Sequence, residues 1–457
     1  MDTQNTMIRD LTEGSVFRKL IRFALPYMAA NLLNTLYTLV DLAIIGRFTS
    51  SAGVSAVANA GNITMLLYAV GVGLGAGGGI FVAQLVGAKR YKDLNETIGT
   101  LLTFSAICGI TLLLIGMALA RPIVNLLNTP VEAADYAVVY LRICCIGMPF
   151  TFCFGNFSDM LRGMGDSLHP LVISFFMMLL NTVLDLLFVA VFQWGPAGAA
   201  IATSFSQICS LVFAWIFLYR RREQFHFDFK RQSFAMKADK LRVAVTLSIP
   251  LICMSIAINV SMMFVNSYVN TYGVIASAVA GIGGKLTSIS HIVTSSTQNA
   301  TSAMVGQNMG AGKIDRAKKT VYTAWGICLI FFALIGTACL TIPDHIFRIF
   351  SNDPAVIDLS WAFMRITFWQ FLSFSLMSPV LGLINGVGFT LLNMIIAILD
   401  GVIARIGLSL LFGITMGMGL EGFWWGNALA GFVSVILAAV YFFSGRWQSR
   451  RLLKDDA

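Results

Sequence analysis

Long apolar runs, broken by short polar loops, recur along almost the whole chain; LYTLVDLAIIGRF at residues 36–48 closes the first of them. Crossing the hydrocarbon of a bilayer takes roughly 20 predominantly apolar residues as a helix. By that measure the pattern predicts twelve spans, over approximate ranges 20–46, 54–84, 97–120, 136–160, 169–193, 197–219, 243–267, 274–305, 320–342, 356–384, 389–414 and 418–444. No water is present at that depth to satisfy backbone groups, so runs of this length must be helical. The expectation is an all-α integral membrane protein with twelve transmembrane helices.

The same phrases occur twice. SAVANAG at Ser55 returns as SAVAGIG at Ser277, QLVGAKR at Gln84 as QNMGAGK at Gln307, LRI at Leu141 as MRI at Met364, and LRGMGD at Leu161 as INGVGF at Ile384. The displacement is constant to within one position across all these pairs, which marks a tandem duplication of six spans. An even number of spans per copy makes the copies parallel, related by a pseudo-two-fold axis along the membrane normal, and parallel repeats are a transporter architecture. The predicted organisation is an N-lobe over 1–222, a cytoplasmic linker over 223–241 and a C-lobe over 242–457. The basic segment RRREQFHFDFKRQSFAMKADKLR reads as a solvated connection between the lobes. Pro26 and Pro250, separated by nearly the same displacement, fall early in spans one and seven, where a proline kinks a helix at modest cost.

Composition agrees with a membrane setting: 57% of the 457 residues are hydrophobic and only 12% are charged, about half the charged share of a soluble domain. The net charge of +9 is distributed as a topology signal. Twenty-four of the 31 basic residues fall in the N-terminus, the even-numbered loops and the C-terminus. That bias places both termini in the cytoplasm and the basic loops against anionic lipid headgroups, and it argues against nucleic acid. The N-terminal MDTQNTMIRDLTEGS lacks the charge pattern of a cleavable signal. The eight cysteines lie inside apolar runs and read as filler without disulfides. An enzyme is not expected, since no HExxH or GxSxG falls on a span and His291 is the only histidine away from the end of one. VGVGLGAGGG at 70–79 has no preceding strand, so it reads as helix-packing and hinge material rather than a phosphate loop. Trp194, Trp424, Trp425 and Trp447 lie near span ends, as interfacial anchors do.

Ionisable residues inside spans cost several kcal/mol and point to function. Four aspartates stand out: Asp41, Asp159, Asp185 and Asp400. Asn181 and Asp185 in MLLNTVLDLLFV are four residues apart and share a helix face. At about 1.5 Å per residue, Asp41 lies roughly 9 Å before Arg47, Asp185 roughly 14 Å before Trp194 and Thr203 roughly 10 Å after Pro196. These levels match in the outer half of the N-lobe. Two carboxylates, an amide and a hydroxyl form an oxygen-rich set that suits Na+; the same paired carboxylates suit a proton. Satisfaction of local backbone by these carboxylates is the competing reading. Asp159 precedes Arg162 by three residues and is expected to pair with it at the helix end. Asp400 is expected either to bind a cationic drug or to pair with Arg405, although at about 100° per residue the two stand roughly 140° apart. His291 is a candidate for substrate binding or proton coupling, set against a hydrogen-bonded packing role.

The motifs MLRGMGDSLHP at 160–170 and QLVGAKRY at 84–91, their C-terminal counterparts and the 6+6 arrangement resemble the multidrug and toxic compound extrusion (MATE) family over nearly the whole chain. The resemblance implies an inner-membrane antiporter that expels drugs, often cationic and amphipathic, in exchange for Na+ or H+. The pattern is similar to the DinF-like branch, whose span-one aspartate, span-five Asn-x-x-x-Asp and span-six threonine correspond to Asp41, Asn181 with Asp185, and Thr203; that branch's span-four asparagine corresponds to Asn156. The C-lobe acids of the NorM-like branch are absent here, since neither LSIPLICMSIAINVSMMFVNSYV in span seven nor FMRITFWQFLSFSLM in span ten contains an acid. The resulting expectation is a monomeric, cation-coupled multidrug efflux antiporter without cofactors, working by alternating access of two lobes, with Pro26 as a hinge that couples Asp41 to cavity shape. A flippase for lipid or lipid-linked oligosaccharide is the alternative.

Overall fold

The computed structural model describes residues 8–126, 129–450 and 452–453, and among them only helices, turns and loops occur. The first half contains α1 (Val16–Phe48), α2 (Ser51–Gly87), α3 (Tyr91–Leu126), α4 (Val131–Gly163), α5 (Leu168–Asp185) and α6 (Gly195–Arg220). The second contains α7 (Ala238–Asn270), α8 (Val274–Gly310), α9 (Ile314–Thr341), the short α10 (Pro343–Arg348) and α11 (Pro354–Asp358), α12 (Ser360–Gly386), α13 (Thr390–Ile398), α14 (Arg405–Leu410) and α15 (Gly419–Phe443). A π turn at Leu186–Val191 extends α5, another at Leu399–Ala404 joins α13 to α14, and a third at Leu411–Thr415 ends that span. Among the described residues, 11 helices are long and apolar enough to cross a membrane. Large apolar side chains such as Leu114, Leu334 and Val440 stand exposed along them, a surface suited to lipid.

The twelfth long helix, α8, falls short of the same apolarity because its second half is rich in Ser, Thr and Asn. It stays helical because those side chains bond to their own backbone: the Thr294, Thr297 and Thr301 hydroxyls donate to the carbonyls of Ser290, Val293 and Thr297 at 3.0, 2.9 and 2.7 Å. With their polar atoms satisfied, these three threonines are buried.

The chain forms two compact units. One comprises Leu25–Ile252 with the described residues up to Asp10; the other comprises Leu11–Ala24 with the chain from Cys253 onward. Two helices therefore change unit within their length, α1 immediately before Pro26 and α7 shortly after Pro250. In the second unit, Leu11, Val16, Leu20 and Phe23 pack on Ala300, Ala303 and Met304 of α8. Arg316 secures the same segment by donating to the carbonyls of Glu13 and Gly14 at 2.6 and 2.7 Å. In the first unit, the start of α7 packs on α2, where the Ser248 hydroxyl donates to the Leu74 carbonyl at 3.3 Å.

The glycine run of α2 acts as packing material. Gly79 faces α4 so closely that a Cβ on it would lie 2.7 Å from the Asp159 carbonyl oxygen, and a Cβ on Gly163 would run into the Gly79 carbonyl. Backbone meets backbone here, which only small residues permit.

The connecting segment differs from the solvated linker expected from its charges. Phe225 and Phe227 are buried; Phe227 meets Phe229 and Phe234 edge-on, Trp215 meets Phe229 edge-on, and Trp215 stacks on Phe234. The Thr103 hydroxyl of α3 donates to the Phe234 carbonyl at 2.8 Å, and the Lys237 N–H donates to Thr100 Oγ1 at 3.2 Å. Aromatic residues alternating with polar ones in QFHFDF let the segment dock one side while its charges face out. Trp424 and Trp447 also differ from expectation: both are buried, Trp424 edge-on to Phe363 and Trp447 donating to the Phe442 carbonyl at 3.0 Å. Trp424 lies near the start of α15, and Trp447 lies beyond its end, in a 3-10 turn at Arg446–Ser449 that buries the ring.

Replacing Gly163 by Val forces a side chain into the Gly79 backbone, which cannot rotate away. The expected cost is about 1–3 kcal/mol, read as a lowered Tm of the detergent-solubilised protein; Gly155→Ala, where a Cβ meets open space, is expected to leave Tm unchanged.

Candidate functional site

Five polar side chains from three helices of the first unit, two of them carboxyls, meet at one place. Asp41 on α1 and Asp185 at the end of α5 lie within hydrogen-bonding reach of each other. The Asn181 amide sits one turn before Asp185; oriented by its neighbours, it donates to Asp185 Oδ2 at 2.8 Å and accepts from the Thr203 N–H of α6 at 3.2 Å. The Thr203 hydroxyl in turn meets the Tyr37 hydroxyl of α1 at 3.2 Å. Asn181 and Asp185 are each only 1% exposed.

Local sequence explains why these groups converge. Tyr37 and Asp41 are four residues apart on α1, as Asn181 and Asp185 are on α5, so each pair projects from one face. The π turn begins at Leu186, directly after Asp185, and π turns inside helices often mark functional positions. Gln207, one turn beyond Thr203 on α6, continues the polar layer by donating to the Tyr68 hydroxyl at 2.8 Å.

Asp41 Oδ1 and Asp185 Oδ1 are both buried without a hydrogen-bond partner. A carboxylate oxygen in such surroundings is costly unless something positive or protic reaches it. The pocket is therefore rich in acceptors and short of one donor or cation. Among the described residues no group of three or more His, Cys, Asp or Glu side chains is placed to share a metal ion.

Four sequence-predicted residues, Asp41, Asn181, Asp185 and Thr203, are thus gathered at one place. Asn156 is buried on α4, where its amide donates to Ser105 Oγ of α3 at 2.6 Å and its Oδ1 has no partner; no contact joins it to the Asp pair. Tyr37 was not singled out from sequence, although its spacing from Asp41 signals it.

The second unit holds Asp400 and Arg405, 6% and 4% exposed. Arg405 Nη2 lies 3.5 Å from Asp400 Oδ1, and the Ser434 hydroxyl of α15 donates to Asp400 Oδ2 at 2.7 Å. The wide angular separation expected of an α-helix does not apply, because the intervening turn is π and places residues five apart on one face. His291 on α8 stands edge-on to Phe374 of α12 at 6.0 Å, and no contact joins it to Asp400.

The family model MatE matches residues 26–187 and 250–411, one copy in each half of the chain. Over 440 residues the chain is 26% identical to the probable multidrug resistance protein YoeA of Bacillus subtilis, covering 94% of each. It is 25% identical over 458 residues to the multidrug export protein MepA of Staphylococcus haemolyticus, covering 97% of this chain and 96% of that one. A solved structure of the outward-facing conformation of a multidrug resistance MATE family transporter of the MOP superfamily superposes with a TM-score of 0.89 at 20% identity, covering 97% of this chain and 98% of that one.

Removing one partner of the buried Asp400–Arg405 pair strands a charge, whereas removing both does not. Arg405→Met is expected to destabilise the protein by about 3–5 kcal/mol, and Asp400→Leu combined with it to recover most of that. Unfolding of both variants in detergent measures the difference.

Proposed function

The chain belongs to the MatE family of multidrug efflux transporters, and on that premise we propose that it is a cation-coupled antiporter whose coupling site is Asp41 with Asp185. The reading is carried by two buried Oδ1 atoms that have no hydrogen-bond partner and, unlike Asp400, no ion-pair partner among the described residues. Two carboxyls in contact within an apolar setting call for one neutralising proton or cation. A proton held between them satisfies both oxygens at once; Na+ taken up there would find oxygens of Asp41, Asp185, Asn181 and Thr203, the ligand type it prefers.

The transport cycle follows from this charge balance. A cation arriving from outside neutralises the pair and reorganises the hydrogen-bond chain from Asp41 through Asp185, Asn181 and Thr203 to Tyr37. Two of its members, Tyr37 and Asp41, ride on α1, so the change reaches that helix directly. Pro26 lacks an N–H, which leaves the Arg22 carbonyl without its usual helical partner and makes this point the softest in α1. It also adjoins the place where α1 passes from one unit to the other. Bending there converts neutralisation of Asp41 into an altered substrate path, releasing drug outward; drug bound from the cytoplasm resets the cycle.

The substrates on this reading are amphipathic organic cations, for which the acid-only charge of the cluster is the support; the relatives' names speak of multidrug resistance and multidrug export. The protein is multi-pass and acts as a transporter and not an enzyme; family membership supports the inner membrane, and the distribution of its basic residues supports cytoplasmic termini. It takes its energy from the ion gradient, as a monomer, with no cofactor.

Asp41→Asn is expected to abolish drug resistance in an efflux-deficient host at wild-type expression; undiminished resistance would remove Asp41 from the coupling role. Drug efflux from proteoliposomes under a sodium gradient alone and a pH gradient alone identifies the ion. Lipid translocation without drug efflux in the same vesicles would favour a flippase.

A further inference from the structure

A second charged cluster of the first unit stands where α1 meets α4, outside the Asp41 site. The Arg162 guanidinium lies over the Tyr27 ring, 4.2 Å from its centroid. Arg162 Nη1 also bonds Asp159 Oδ1 at 2.8 Å, an i,i+3 pair of side chains that are 20% and 17% exposed. The carboxylate thus orients the guanidinium, and the guanidinium grips the ring. Arg162 Nε is buried and has no partner, so Asp159 and the ring are the contacts that hold the guanidinium. A guanidinium face on an aromatic face is attractive on its own account.

What surrounds the cluster makes it a firm support. Asp159 and Arg162 belong to the stretch of α4 that meets the α2 glycines backbone to backbone, with a Cβ on Gly79 falling 2.7 Å from the Asp159 carbonyl oxygen. That contact cannot slide without opening a gap or a clash. Tyr27, by contrast, follows Pro26 near the start of the part of α1 that belongs to the first unit, which begins at Leu25. It is the first side chain after Pro26, and through Arg162 it is tied to the close backbone contact of α2 with α4. Along the helix Tyr27 stands about 21 Å from Asp41. Whatever it does for transport, it does through α1.

We infer that Arg162, oriented by Asp159 and seated on Tyr27, is a positioning residue that fixes the fulcrum of α1, so that bending at Pro26 moves the segment carrying Tyr37 and Asp41 rather than being lost in drift of the whole helix. The inference deepens the proposed function and rests on its hinge at Pro26. The aromatic face is what the contact needs: phenylalanine retains it and leucine does not. Lysine retains the cation without the planar fork that Asp159 holds.

The test uses the full chain in proteoliposomes with ethidium as the transported cation, under whichever gradient drives the wild type. Tyr27→Phe is expected to behave like wild type. Tyr27→Leu and Arg162→Gln are expected to lower kcat by about tenfold while KM and the Kd for ethidium stay within about threefold, the pattern of a lost conformational step and not of a lost binding contact. Arg162→Lys is expected to fall between them. Amide exchange over residues 20–32 is expected to quicken in Tyr27→Leu and not in Tyr27→Phe. Wild-type turnover in Tyr27→Leu, or equal losses in the leucine and phenylalanine variants, overturns the inference. Should Tyr27→Leu not fold, Arg162→Lys against Arg162→Gln decides: equal turnover in those two overturns it as well. A wild type that carries ethidium under neither gradient refutes the antiport reading instead, a result separate from any difference among the variants.

Discussion

Every polar group in this chain that lies at bilayer depth must find its partner inside the protein, because no water is there to replace it. The three threonines of α8 meet that condition within their own helix, donating to carbonyls one turn back. Asp159 meets it with Arg162, and Asp400 with Arg405 and Ser434. Asp400 Oδ1, like Asp41 Oδ1 and Asp185 Oδ1, lacks a hydrogen-bond donor, but it has the Arg405 charge 3.5 Å away, whereas Asp41 and Asp185 have no ion-pair partner among the described residues. Of these four acids, the two that lie together are the two without an arginine beside them. The remedy their pairing calls for, a proton or small cation, is what a coupled transporter exchanges.

The duplication shows scaffold and charge parting company. At the displacement of the repeat, the π turn at Leu411–Thr415 corresponds to positions 188–192, within or beside the π turn that follows Asp185, so the helical irregularity is present in both copies. The repeat equivalent of Asp185 is Leu408, and no acid stands there. The second copy instead carries Asp400 earlier in the span and neutralises it with an arginine from the same span. One lobe therefore places two acids together without a basic partner, while the other pairs its acid with an arginine. The prolines behave like the π turns: Pro26 and Pro250 both adjoin the points where α1 and α7 pass between units. The prolines recur in both copies, and the pair of acids in one.

The linker and the tryptophans show where reading by composition misleads. Charge counts mark 220–242 as solvated, yet its alternate residues are aromatic and bury themselves against α3 and α6. Position near a span end marks Trp424 and Trp447 as interfacial, but Trp424 is covered on α15 by Phe363 and Trp447 is folded in by the turn after α15. In each case the missed information was which side of an element is covered, a property of the neighbours.

Helix number, the internal repeat, the family and the identity of the membrane-embedded acids were legible in the chain itself, because hydrocarbon thickness sets span length and buried charge is rare enough to be conspicuous. The spacing of Asn181 and Asp185 was legible too, since i and i+4 share a face in any α-helix. Only the folded molecule decided that Tyr37 joins the carboxyl pair while Asn156 bonds Ser105 instead. It alone decided that a π turn brings Asp400 and Arg405 onto one face, and that Arg162 closes over Tyr27 as well as pairing with Asp159. These are contacts between elements far apart in sequence, or departures from α geometry within one. Periodicity describes each helix against an apolar surround, and it contains nothing about which helix stands opposite.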